Sequence, residues 1–434
     1  MSASKWRVAA LLTGAAVAAT VATAPAAQAH QPDHGHGHGR AEAKVIGYFT
    51  QWGIYARNFT IRNLVDNGSA ARLTHLNYAF GFLNEQGGCV SADAWADYQK
   101  PFAAEQSVDG VADVAGQPLS GNLNQLRKLK KKYPKLKVYI SLGGWSGSRY
   151  FSNAALTAES RKAHVTSCIN QWIKGDIAGP GVAAGIFDGI DVDWEWPGST
   201  AGEPNNIVRP EDKVNYTALL KEYRTQLDTL PRGKRDLTAY LPANTREINA
   251  GFEVSKVLRY LTFGNLQGYD YHGGWDPTTN QQSALRTAKG DPTPAPGYSS
   301  QVVVDAWVSR GAPRDKLVLG VPFFGRGWTG VTNANNGLYQ KATGPAPGTW
   351  EAGGEDYKVL KTKVGAYKVY RDEKAGHAWL FDGTTFWTYD DPIEIRRKAR
   401  YIESQGLAGA MIWSLDADTS DGELIKALHK ELSC

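Results

Sequence analysis

Only three cysteines and two methionines occur in 434 residues, and no internal repeat of short period is visible. Three thiols without metal-ligand spacing exclude a disulfide-dense miniature fold and a zinc centre built on cysteine. The lack of repeats argues against a solenoid or propeller. Charge of one sign is scarce as well: 48 Lys plus Arg stand against 43 Asp plus Glu, with no long basic arm. Nucleic acid is therefore not expected as a partner. The basic stretch 127–137 reads as the solvated face of a helix and its following turn.

Long apolar runs are missing except near the N-terminus, where residues 8–21 follow Lys5 and Arg7 and lead to Ala27, Gln28 and Ala29. This Ala- and Thr-rich run is too weakly apolar to span a bilayer, so 1–29 reads as a secretory leader with its cleavage site. Its removal takes away two cations and leaves a nearly neutral protein expected outside the cell, with no membrane association. Residues 30–43 carry His30, His34, His36 and His38 among glycines, a flexible tether with no preformed metal geometry. An oxidising compartment favours one disulfide, expected between Cys89 and Cys168 because Cys434 is the last residue.

What is plentiful is core-forming and aromatic material: 42% of residues are hydrophobic, with 14 Trp and 20 Tyr, many beside glycine. Such rings suit sugar faces or a packed core. From residue 44 onward β-rich runs at 45–49, 75–80, 137–142, 185–193, 237–241, 263–269, 317–322 and 408–413 alternate with helical patterns. The helical patterns fall at 122–133, 158–174, 211–230, 300–310 and 392–405. Eight strands separated by helices predict an α/β fold, a (β/α)8 TIM barrel over 44–434. The alternative, an open doubly wound sheet, lacks a Gly-rich fingerprint after its first strand. A bare barrel needs about 250 residues. The surplus lies at 84–121 and at 331–388, the latter read as a small α+β insertion between strands 7 and 8.

The fourth run reads Asp188-Gly189-Ile190-Asp191-Val192-Asp193-Trp194-Glu195. Strand alternation places Asp191, Asp193 and Glu195 on one face, with Glu195 uppermost, and leaves Asp188 out of phase in a structural role. Crowding and burial of these acids raise at least one pKa, which supplies a protonated carboxyl for general-acid work at neutral pH. Stacked carboxylates could also hold Mg²⁺ or Ca²⁺, but the flanking Phe187, Trp194 and Trp196 argue against a hard-cation site.

The run Asp188 to Pro197 resembles the D-x-x-D-x-D-x-E signature of glycoside hydrolase family 18, the chitinases and their relatives. Ser141, Gly143 and Gly144 before Trp145 resemble the family's S-x-G-G element, and Gln267-Gly268-Tyr269-Asp270 its M-x-Y-D element with Gln in place of Met. The Phe324 to Trp328 segment and Gly348 to Glu351 are similar to bacterial members carrying an α+β insertion. The resemblance implies substrate-assisted, retaining hydrolysis of β-1,4-linked N-acetylglucosamine through an oxazolinium ion, without cofactor or metal. It implies Glu195 as the acid, Asp193 as acceptor of the acetamido N–H, and Asp191 as proton partner of Asp193. Tyr269 would donate to the acetamido carbonyl, and Asp270 would contact the same sugar and raise the acid's pKa. Trp413 would floor the site, with Trp145, Trp275, Trp350, Glu351, Arg326, Gln267, Tyr48 and Phe80 as further substrate contacts. Chitin and chitooligosaccharides are the expected partners of a monomer. The same acids serve an endo-β-N-acetylglucosaminidase, and a chitin-binding lectin would be expected to lack the acid.

Overall fold

Valine, isoleucine, leucine and aromatic residues crowd the β-rich runs, and in the computed structural model nearly every residue of these runs is buried, as in a sheet covered on both sides. Residues 42–433 are described, Arg232 excepted, so the leader, most of the histidine-rich segment and Cys434 lie outside the described residues. The strands are β1 (Lys44–Thr50), β2 (His75–Leu83), β3 (Lys137–Gly143), β4 (Gly189–Asp193), β5 (Asp236–Leu241), β6 (Phe263–Leu266), β7 (Leu317–Pro322) and β8 (Gly409–Trp413). Each pairs in parallel with its neighbours, and β1 also pairs with both β2 and β8, which closes the expected barrel.

Two of the expected strands are shorter than their sequence runs. Gly185, at φ +80°, belongs to a turn, so β4 starts only at Gly189, and β6 stops at Leu266. The helical pattern at 158–174 is an α-helix over Ala158–Cys168 that widens into one π-turn over Ile169–Ile173. Helices Gly121–Lys132, Asp212–Asp228, Ser300–Val308 and Pro392–Ser404 occupy the other expected places. The last is set by Asp391, whose carboxylate accepts the N–H groups of Ile393 and Glu394, with Pro392 filling the first turn.

Outward strand residues such as Phe49, Ile140 and Val192 join the helices in one large core. Inward residues form a second, smaller cluster with Ile46, Tyr139, Phe263, Val318 and Met411. Between β7 and β8 stands an antiparallel sheet of strands Gly344–Pro345, Phe324–Thr329, Phe386–Tyr389, His377–Phe381 and Lys368–Asp372, with Gly354–Asp356 added beside Phe324–Thr329. Trp328, Leu338, Trp379, Phe381 and Phe386 give it a core of its own. The expected limits 331 and 388 fall inside this sheet, because Phe324–Thr329 turns away from β7 after Phe323 and becomes an interior strand of it, between the short strands Gly344–Pro345 and Gly354–Asp356 on one side and Phe386–Tyr389 on the other. The excursion after β2 is tied down by a Cys89–Cys168 disulfide with a Cα–Cα distance of 4.9 Å. Among the described residues no helix is long and apolar enough to cross a membrane.

Candidate active site

Period-two alternation on β4 sends Ile190 and Val192 outward into the strand–helix core and turns Asp191 and Asp193 toward the barrel axis. Trp194 points outward and stacks on Phe151 at 5.4 Å, which leaves Glu195 on the inner side at the C-terminal mouth. Two glycines make room. A Cβ on Gly143 (φ +108°) would lie 2.2 Å from the Asp193 carbonyl, and one on Gly144 (φ +76°) would lie 2.6 Å from the Phe80 ring.

Asp191 is fully buried and accepts four hydrogen bonds, one from each of four other strands: Tyr48 Oη at 2.8 Å, Ser141 Oγ at 2.8 Å, Thr238 Oγ1 at 2.5 Å and Asn265 Nδ2 at 3.2 Å. Burial raises its pKa, and these donors pull against the rise. Tyr48, read from the sequence as a sugar contact, is 1% exposed and spends its hydroxyl on Asp191. Asp193 goes well above the carboxylate range, first through burial and then through the charges of Glu195 and Asp191. Burial pushes the Glu195 carboxyl up to about 8, its hydrogen bond with Asp193 pulling downward and the charge of Asp270 adding to the rise. The pair is therefore a proton store at neutral pH, open to the mouth through Glu195. Asp188 sits apart, with both oxygens 2.7 Å from Lys130 Nζ and one accepting the Val138 N–H.

Beyond β6 the chain brings Tyr269 and Asp270 to the same mouth. Tyr269 is buried beside Tyr240, their rings stacked at 6.5 Å, and its hydroxyl lies 3.8 Å from Met411 Sδ. Asp270 takes a left-handed backbone, φ +58°, and accepts from Arg326 Nε at 2.7 Å. Arg326 extends on to Glu351 Oε1 at 2.6 Å and lies over the Trp275 ring at 5.3 Å, so the insertion and the loop after β6 share one cation. Gln267 accepts the Ala243 N–H at 3.4 Å, a link between the ends of β5 and β6.

Trp413, the last residue of β8, packs with Phe80 at 5.9 Å and Tyr48 at 5.3 Å, and Trp52 continues the stack from Phe80 at 6.1 Å. Trp145, Trp275 and Trp350 remain 50%, 60% and 41% exposed on segments leaving β3, β6 and β7. Trp350 is fixed in that pose, with Nε1 donating to Asp356 and the Arg57 guanidinium 4.6 Å above its ring. Sequence reading missed Thr238, Tyr240 and Asn265. Thr238 and Tyr240 lie two apart on β5, so the same alternation that marks Asp191 and Asp193 was the available signal.

None of the four donors to Asp191 is a cation, so the row of acids carries its charge on protons and neutral donors. Among the described residues, one Cys/His group has metal-ligand spacing, Cys89, His164 and Cys168, and its two sulfurs are joined in the disulfide.

Comparison with known proteins agrees with this geometry. Residues 44–418 match Glycosyl hydrolases family 18. Chitinase C of Streptomyces lividans is 40% identical over 391 residues, covering 88% of this chain and 58% of the relative. Chitinase 63 of Streptomyces plicatus is 40% identical over 90% of this chain and 61% of its own length. The chain thus spans about three fifths of these relatives. The structure of the catalytic domain of psychrophilic chitinase B from Arthrobacter TAD20 superposes with a TM-score of 0.86 at 42% identity, covering 90% of this chain and 95% of that one. A closed parallel barrel, its acid row on β4 and a family match over nearly the whole described chain lead to one assignment: the protein belongs to glycosyl hydrolase family 18.

Proposed function

We propose that the protein is an extracellular chitinase that cleaves β-1,4 links between N-acetylglucosamine units with retention of configuration. The observation that carries this reading is the row Asp191, Asp193 and Glu195, with burial keeping the Glu195 carboxyl protonated up to about pH 8 at the open end. Glu195 gives that proton to the glycosidic oxygen as the bond to C1 breaks. The carbonyl oxygen of the sugar's own acetamido group attacks C1 and forms an oxazolinium ion, so no ester to the protein is made. Asp193 turns from Glu195 to accept the acetamido N–H and balances the positive charge, while Asp191 shares a proton with it from below. Tyr269 donates to the acetamido oxygen, which fixes the nucleophile's geometry. Glu195, now ionised, takes a proton from water as that water opens the ring from the same face. Trp413 offers a flat apolar floor, and Trp145, Trp275 and Trp350 extend it along the groove.

Chitin chains and chitooligosaccharides are the proposed partners of a monomer that needs no cofactor, nucleic acid or membrane. The test is product analysis on chitohexaose labelled at its reducing end, with colloidal chitin as polymer. Release of chitobiose and labelled short oligomers is expected, with cellohexaose left intact for want of acetamido groups. Intact chitohexaose beside trimmed N-glycans would instead identify an endo-β-N-acetylglucosaminidase. Binding without cleavage would identify a lectin.

A further inference from the structure

We propose that Ser148 and Asn206 are positioning residues that clamp the backbone of Glu195, and that the acid's placement depends on this clamp. Sheet pairing does not reach Glu195: the β3–β4 ladder ends with Gly143 opposite Asp193, two residues earlier. Two side chains take over from the ladder. The Glu195 N–H donates to Ser148 Oγ at 2.8 Å, and the single proton of that fully buried hydroxyl is shared between the carbonyls of Gly144 at 2.8 Å and Asp193 at 3.1 Å. From the other side, Asn206 Nδ2 donates to the Glu195 carbonyl at 2.7 Å.

The loop that carries Asn206 is shaped for this contact. A Cβ on Gly202 would fall 2.2 Å from the Glu195 carbonyl oxygen and 2.9 Å from Asn206 Nδ2, so only glycine lets the loop close here. The side-chain oxygen of Asn206 is buried without a partner among the described residues, which leaves the bond to Glu195 as the one this amide makes. Together the two bonds hold the peptide groups on both sides of the Glu195 Cα and thereby aim its side chain. Proton transfer needs that carboxyl within hydrogen-bond reach of the leaving oxygen. A misplacement of about 1 Å costs on the order of 100-fold in rate.

This inference rests on Glu195 being the acid, and the experiment separates the two. Ser148→Ala, Asn206→Leu and Glu195→Gln are made in the full-length protein, their folding is checked by thermal melting, and kcat, KM and the pH profile on chitohexaose are measured. Asn206→Leu keeps the size and removes the donor without adding a charge beside the acid. Ser148→Ala and Asn206→Leu are each expected to lower kcat by roughly 10- to 100-fold with KM within about twofold of the parent. The high-pH limb of kcat/KM should move below its parent position, because a loosened carboxyl regains water. Should either variant fail to fold, Gly202→Ala tests the same contact from the loop side. Folded variants with parent kcat and an unmoved limb overturn the clamp. So does a loss confined to KM, or a lowered kcat with the limb unmoved. A fully active Glu195→Gln removes the acid assignment itself, whereas an inactive one beside parent-like clamp variants removes the clamp alone.

Discussion

The two ends of the barrel interior hold the same kind of group and treat it in opposite ways. At the N-terminal end Asp236 accepts from Lys137 Nζ at 2.7 Å, Tyr139 Oη at 2.7 Å and Thr262 Oγ1 at 3.2 Å. Burial favours its neutral form, yet the hydrogen bonds of Lys137 and Tyr139 win and hold its pKa below the usual value. His75 beside it is pushed down to about 3, by burial and then by the charge of Lys137, so this end keeps its protonation fixed. At the C-terminal end Asp193 and Glu195 form no ion pair with any described Lys or Arg, and both rise. The nearby cation, Arg326, is committed to Asp270 and Glu351 instead. The contrast locates reactivity in the missing cation, since burial is common to both ends.

The most severe way to break the comparison is to remove the acid. Glu195→Gln should cut kcat on chitohexaose by about 10²- to 10⁴-fold, with substrate binding retained and thermal stability equal to or above the parent's. Steady-state kinetics beside equilibrium binding checks both halves, and near-parental turnover would remove Glu195 from the mechanism. The same change of carboxylate to amide at the other end, Asp236→Asn, should do the reverse. Stability should fall by about 1–2 kcal/mol, the smaller figure favoured because Lys137 is half exposed, while kcat stays within a few-fold. A shift in urea midpoint without loss of activity confirms the structural role.

The pH profile sharpens the contrast further. Because the acid must carry its proton, kcat/KM should decline as pH rises through about 8. Asp270→Asn removes a negative neighbour while keeping a residue that tolerates the left-handed backbone, so the limb should move to lower pH. An unmoved limb would show that Asp270 does not act on the acid's proton. The smallest effect is on stability against pH. The raised pKa of Glu195 means that stability from this group is present below about 4.3, its unfolded value, and is lost as pH rises toward about 8. The advantage of Glu195→Gln over the parent should therefore grow across that window and then level off. Asp236, lowered in the fold, behaves oppositely, and the penalty of Asp236→Asn should shrink as pH falls below about 4. Urea midpoints taken at steps of about one pH unit from pH 3 to 9 would record both slopes, and parallel curves would refute the assignment of opposite shifts.

Much of this arrangement was legible before any coordinates. Eight β-rich runs and a period-two row of acids need only local rules, and both the barrel and the inward turn of Asp191 and Asp193 follow from them. Four strands converging on Asp191 could not be read, because Tyr48, Ser141, Thr238 and Asn265 are far apart in the chain and meet only once the barrel closes. The start of the insertion was hidden for a different reason. Phe324–Thr329 follows β7 after the single residue Phe323, its two glycines and Arg326 give no clear strand pattern, and only its antiparallel pairing assigns it to the other sheet. The clamp on Glu195 left no signal at all, since Ser148 and Asn206 lie in irregular loops.

The seam between β1 and β8 has a consequence for biogenesis. Lys44 is paired with Gly409, and a Cβ at Gly409 would lie 2.0 Å from the Lys44 carbonyl oxygen, so the barrel is zipped by residues at nearly opposite ends of the described chain. A polypeptide made from its N-terminus presents β1 long before its partner exists. Until residues 409–413 arrive, β1 and β7 each have a bare sticky edge of the kind that pairs with other chains. Ribosome stalling or premature termination ahead of that last strand would leave both edges bare, and a nearly complete nascent chain would be as exposed to intermolecular strand exchange as a short one.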